Sequence, residues 1–174
     1  EPIKGPDQGQ IEAVEPNISF VKADQVWGLG YTGQGTVLSS NDTGMDETHP
    51  AIAPHYRGCL NPPTCSSWDH NYNWWDPTGT YPTNPADGHG HGTRITGIMV
   101  GDDGGTNQIG MAPGAQVIHC KLIRNDNTST EAMIDECFQW DLAPWDLSGA
   151  NPRPDLAPDA IHHAWGASGN PTSF

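Results

Sequence analysis

Stretches that read as buried strand alternate along this chain with stretches that read as amphipathic helix, and this alternation restricts the fold more than any other feature. "TVLSSN" (36–41) reads as a buried strand, and the turn residues "DTG" follow it at once. His91–Val100 reads as a helix with Ile95, Ile98 and Met99 on one apolar face. "QVIHCKLI" (116–123) is the next strand. Thr128 followed by Glu131 predicts a capping box that starts a second helix, whose stripe of Ile134, Cys137, Phe138 and Leu142 faces inward. "DAIHHAWG" (159–166) closes the series as a strand. Strand, helix, strand, helix, strand predicts an α/β protein built on a parallel sheet with right-handed crossovers.

The connections are long and rich in turn residues, in keeping with 21 glycines and 16 prolines among 174 residues. Residues 1–16 are polar and aperiodic and read as a leader or linker, with one domain over 17–174. Val21–Trp27 predicts a short helix ahead of the first strand. The excursion over 50–87 carries Trp68, Tyr72, Trp74 and Trp75, expected to pack locally. Cys59, Cys65, Cys120 and Cys137 match no metal-binding spacing, and local geometry favours the pairs Cys59–Cys65 and Cys120–Cys137. An even cysteine count beside seven tryptophans points to an oxidising, secreted setting. The formal charge of -14 argues against nucleic acid or an anionic membrane as partner. No apolar run is long enough to span a bilayer.

In open parallel sheets, chemistry gathers beyond the carboxyl ends of the strands. Asp42 ends the first strand, His91 opens a helix after a long loop, and "HAWGASG" (163–169) leaves the last strand with small residues. An aspartate that orients one imidazole nitrogen while the other relays a proton is two thirds of a nucleophilic triad. A turn aspartate bonded to its own backbone would explain "DTG" equally well. His89, His91 and His162 or His163 form an alternative metal-binding set, and Asp102 with Asp103 an alternative calcium loop.

"VLSSNDTGMDETHPAI" (37–52) followed by "DGHGHGTRITGIMVG" (87–101) resembles the aspartate and histidine motifs of subtilisin-like serine proteases. "NQIGMAPGAQVIHCKLI" (107–123) and "LAPDAIHHAWG" (156–166) continue the likeness, and "YNWWD" (72–76) with "QWDLAP" (139–144) is most similar to its bacillopeptidase F branch. The resemblance implies a parallel-sheet subtilisin-like fold, a polypeptide substrate and no cofactor for chemistry, with structural calcium as an option. It implies Asp42 as the orienting carboxylate and His91 as the general base. It makes Ala164, Trp165 and Gly166 a substrate-binding edge, and sets Arg124, Asn125 and Asp126 on the opposite edge, so that an extended peptide lies between them by strand addition.

The family's Gly-Thr-Ser-Met-Ala nucleophile segment is not in this sequence, and neither Ser168 nor Ser173 opens a helix behind a glycine turn. The resemblance therefore implies an incomplete fold whose serine lies on a companion C-terminal chain, with these residues alone inactive. Arg94 stands where the family usually has a second histidine, Asn41 where it has an aliphatic, and His162–His163 where it has another polar pair. Those departures leave a second reading open, a degenerate relative that keeps the peptide groove and only binds.

Overall fold

A computed structural model of the chain describes residues 14–104 and 108–166. The leader through residue 13, the centre of the 101–110 loop, and Ser168, Asn170 and Ser173 lie outside the described residues. Four parallel strands form one sheet in the order β2-β3-β1-β4, with β1 at Val37–Asp42, β2 at Trp74–Trp75, β3 at Gln116–Lys121 and β4 at Ala160–His162. Two short helices, α1 (Pro16–Phe20) and α2 (Ala23–Gly28), precede the sheet. Pro16 occupies the first turn of α1, where its missing N–H costs nothing, and Lys22 in a left-handed conformation separates the two helices. The helix expected over Val21–Trp27 is α2, which begins at Ala23 because Lys22 is left-handed, and α1 ahead of it was not expected. Val14 bridges to Gln108, which ties the residues before α1 to the domain.

Helix α3 (His91–Val100) and helix α4 (Glu131–Leu142) cover opposite faces of the sheet. Met99 and Val100 of α3 pack with Val117, Met45, Ile52 and Tyr56. Cys137 and Trp140 of α4 pack with Ile118, Cys120 and Leu122. Successive β3 residues therefore serve alternate faces, as the two-residue period of a strand requires. The disulfide Cys120–Cys137 fastens α4 to β3, and Cys59–Cys65 pins a corner of the excursion after β1.

Helix α4 departs from its expected start and face. Its N-cap is Thr130, whose hydroxyl accepts from the Met133 N–H, while the Thr128 hydroxyl donates to Asp126 instead. Trp140 and Asp141 take the buried face with Cys137, leaving Phe138 and Leu142 exposed, with the Phe138 ring against His163 just after β4. On α3, Ile98 is half exposed while Met99 and Val100 are buried in the core, and Gly97 is covered by Ile109 of the following loop. Strand β4 ends at His162, short of the expected 166, and its three residues are exposed.

The long excursion is ordered by polar staples. Arg57 donates through Nε to the Asn73 side chain (2.6 Å), through Nη1 to the Leu156 carbonyl (2.9 Å) and through Nη2 to the Tyr72 carbonyl (2.6 Å). Tyr56, Trp68 and His70 stack beside it, and buried Trp74 donates its indole N–H to the Tyr81 carbonyl (2.8 Å). Among the described residues, no helix is long and apolar enough to cross a membrane. Replacing Arg57 with alanine strips the partner from three acceptors at once, so urea unfolding of R57A should show a loss of about 3 kcal/mol. An unchanged midpoint would show that the staple contributes nothing.

Candidate active site

Strand β1 is central, yet Ser39, Ser40, Asn41 and Asp42 are all fully buried polar residues within it. Each needs a partner, since an unsatisfied buried polar group costs free energy. The alternation of the strand sends Ser39 and Asn41 to the α4 face. There the Ser39 hydroxyl donates to Asp141 Oδ1 and the Asn41 amide donates to Asp141 Oδ2, both at 2.6 Å. Burial raises the Asp141 carboxyl to about 6, opposed by those two hydrogen bonds. The Asn41 carbonyl accepts the indole N–H of Trp165 at 3.0 Å, so the same residue anchors the segment after β4.

Asp42 faces the other side, at the carboxyl end of β1, and is 1 % exposed. Its Oδ1 accepts from His91 Nδ1 at 2.7 Å and from the Thr43 backbone N–H at 2.6 Å. The His91 side chain is 33 % exposed, which keeps part of the ring accessible to a reactant. The two residues, 49 positions apart in sequence, are brought together by close backbone packing. Gly92 lies against the turn after β1, where a Cβ would collide with the Gly44 carbonyl oxygen. Gly44 has φ +123°, and a Cβ there would collide with the Ala86 carbonyl oxygen. The Gly92 N–H donates to the Thr43 hydroxyl at 2.8 Å, across the same junction.

Asp87 organises the start of α3. Its carboxylate accepts from the N–H groups of His89 (3.1 Å), Gly90 (2.8 Å) and Thr93 (2.9 Å), and from the hydroxyls of Thr43 (2.9 Å) and Thr93 (2.7 Å). Burial would raise this carboxyl, but the hydrogen bonds from Thr93, Gly90 and Thr43 outweigh it and hold Asp87 below the ordinary range. It thereby satisfies N–H groups that a helix start leaves open and holds negative charge at the positive end of the helix.

Lys121, the register partner of Asp42, is buried; its ammonium donates to the carbonyls of Thr43 and Ile123 and to the Asn125 side chain. Burial lowers its pKa, opposed by the charges of Asp76, Asp87 and Asp42. His119, on the same face, stacks on Trp74 with ring centroids 5.7 Å apart, and burial pushes it down to about 4, so it is neutral near pH 7.

Of the other expected positions, Arg124, Asn125 and Asp126 enter a turn, closed by the Arg124 N–H to the Thr128 carbonyl (2.8 Å), where an extended edge was expected. The reason is local: Asn127 has φ 65° and Asp126 accepts from both the Thr128 N–H and hydroxyl. Asn125 still stands beside the histidine loop, in contact with Gly88 and donating to the Tyr81 hydroxyl at 3.0 Å. Ala164, Trp165 and Gly166 follow β4 outside any regular strand, with Trp165 packed on the α4-side core. His89 meets the His91 ring edge-on, 6.2 Å between centroids, and among the described residues no three His, Cys, Asp or Glu side chains are placed to hold a metal ion. Asp102 accepts from the Gly104 N–H at 2.8 Å. Arg94 is exposed and lines a small apolar groove with His49 and Ile98. Asp87, Lys121 and Asp141 are the residues that sequence reasoning missed. Only Asp87 carried a signal, as an aspartate just ahead of a helix start.

A buried aspartate bonded to a partly open histidine at the carboxyl end of a parallel sheet is the arrangement of a triad hydrolase. Comparison with known proteins narrows the class. Residues 33–174 match the subtilase family, described as peptidase S8. The chain is 44% identical over 156 residues to Bacillopeptidase F of Bacillus subtilis, an alignment covering 89% of this chain and 11% of that protein. It is 25% identical over 167 residues to the major intracellular serine protease of the same species, covering 88% of this chain and 46% of that protein. Human proprotein convertase subtilisin/kexin type 6 is 29% identical over 111 residues, covering 63% of this chain and 11% of that protein. The chain belongs to the subtilase family, and its four parallel strands with helices on both faces are an α/β subtilisin-like fold. It spans about a tenth of the first of these relatives and under half of the second.

Two measurements check this site. Gly92→Ala should push α3 off the turn after β1, so the low-field NMR signal of the His91 Nδ1 proton should disappear; a signal unmoved in G92A would contradict the packing argument. Asp141 has a folded pKa of about 6 against an ordinary 3.8, so the folded state binds this proton more tightly than the unfolded chain. Its destabilising effect is absent below about pH 4, grows as pH rises toward 6, and is complete above that. Asp141→Asn keeps an acceptor for Asn41 and can donate to Ser39. D141N should therefore match the native protein at pH 4 and exceed it by about 3 kcal/mol at pH 7. Parallel stability curves would refute the assignment.

Proposed function

We propose that this chain supplies the aspartate and histidine of a serine endopeptidase that hydrolyses peptide bonds in polypeptides. The observation that carries the reading is the 2.7 Å bond between His91 Nδ1 and buried Asp42. With Nδ1–H committed to the carboxylate, Nε2 is the acceptor: it takes the proton of a serine hydroxyl as that oxygen attacks the scissile carbonyl, then returns it to the leaving amine. Asp42 stays ionised and stabilises the imidazolium formed between those steps. The chemistry needs no cofactor.

The serine and the oxyanion donors come from polypeptide outside residues 1–174, joined at the β4 edge. The exposure of Ile161 on β4 and of Phe138, whose ring meets His163 just after that strand, supports this, since among the described residues β4 is an edge strand with apolar neighbours, which calls for a partner. Substrate lies extended against the backbone of Ala164, Trp165 and Gly166, with Arg124 and Asn125 walling the opposite side. The tie from Trp165 to Asn41 and the seat of Asn125 beside the histidine loop favour this placement. The two disulfides favour a secreted protein folded in an oxidising compartment.

The Asn41 substitution is accommodated by Asp141, and Arg94 leaves the Asp42–His91 bond intact, which favours an active enzyme over a purely binding relative. A fluorophosphonate probe applied to the full-length protein should label a serine outside this segment. His91→Ala and Asp42→Asn should each slow labelling by about 10⁴-fold. Absence of labelling in the intact protein would leave only the binding role.

A further inference from the structure

On the α4 side, at the sheet edge away from β4, Trp75 and Trp145 wall a cavity of about 520 Å³. The rings meet edge to face, with centroids 5.3 Å apart and planes at 86°. Trp75 is fixed by donating its indole N–H to Glu136 Oε1 at 2.8 Å, and Gly149 passes within contact of its ring. Asp146 holds that loop in place by accepting from the Ser148 N–H (2.9 Å), the Ser148 hydroxyl (2.5 Å) and the Asn151 amide (2.7 Å).

The charge in the cavity has one sign. Asp135 and Glu136 line it, no lysine or arginine does, and among the described residues neither carboxylate has a cationic partner. We propose that this cavity binds the guanidinium group of an arginine side chain on a polypeptide, held between the indoles and the carboxylates of Asp135 and Glu136. A guanidinium is planar and weakly hydrated, stacks on indole and forks onto carboxylates, whereas an ammonium keeps its water more tightly. The Gln139 side chain, also in the lining, adds a carbonyl acceptor. The site lies on the sheet face opposite α3 and His91, and a sheet extended at β4 leaves it open. It is therefore a second recognition point, independent of the peptidase reading.

Titration with acetyl-arginine-amide, followed by NMR of the Trp75 and Trp145 indole N–H signals, tests this in the protein as it stands. Both signals should shift saturably while the His91 ring signals stay fixed. The acetyl-citrulline-amide counterpart, which has the same shape without the charge, should bind at least 10-fold more weakly, and the lysine counterpart several-fold more weakly. The double substitution D135N/E136Q keeps the Trp75 bond and the packing, and should weaken arginine binding at least 10-fold. Equal binding of citrulline, or undiminished binding by D135N/E136Q, would overturn the proposal. Spermidine binding more tightly than the arginine compound would overturn the assignment to a polypeptide side chain.

Discussion

Alternation along β1 fixes what this protein can do chemically. Leu38, Ser40 and Asp42 face α3, while Val37, Ser39 and Asn41 face α4, so neighbouring polar residues are committed to different helices. A slip of one residue would exchange Asp42 for Asn41 opposite His91 and bury a carboxylate where an amide belongs. The parallel pairing of β1 with β3 over six residues, and the Ser39–Asn41–Asp141 cluster on the far face, both oppose that slip.

The histidine reaches Asp42 because two pieces of main chain approach more closely than side chains would allow. Gly44 and Gly92 form that contact, and Thr43 and Asp87 sew it together with hydrogen bonds. The charges nearby are arranged in sequence: Lys121 behind the carbonyl after Asp42, Asp87 at the head of α3, and a neutral His119 beneath. Geometry and charge thus arise from the same few residues, and the exposed imidazole inherits both.

Much of this was legible in the order of residues. The strand–helix alternation gave the parallel layers, and "NDTG" with "HGHGT" gave the two ends of the Asp42–His91 bond. Errors clustered where a local rule met a tertiary competitor. Thr128 fits a capping box by spacing, but Asp126 captures its hydroxyl and the helix begins two residues later. Phe138 and Leu142 fit an inward stripe, but Trp140 and Asp141 win the buried face, where Trp140 fills the core and Asp141 gives Ser39 and Asn41 a hydrogen-bond partner. Residues 124–126 were expected to be extended and instead turn, because Asn127 adopts a left-handed conformation. Lys121 and Asp141 left no trace in the sequence, since a buried charge is defined by contacts far along the chain.

The Arg57 staple has a consequence for the durability of the molecule. A long surface connection rich in turns is what a protease attacks first. Cleavage demands that several consecutive residues be drawn out straight and fed into another molecule's cleft. Arg57 ties the adjacent Tyr72 and Asn73 to distant Leu156, and the small ring closed by Cys59–Cys65 cannot be pulled straight, so this excursion resists being drawn into a protease cleft.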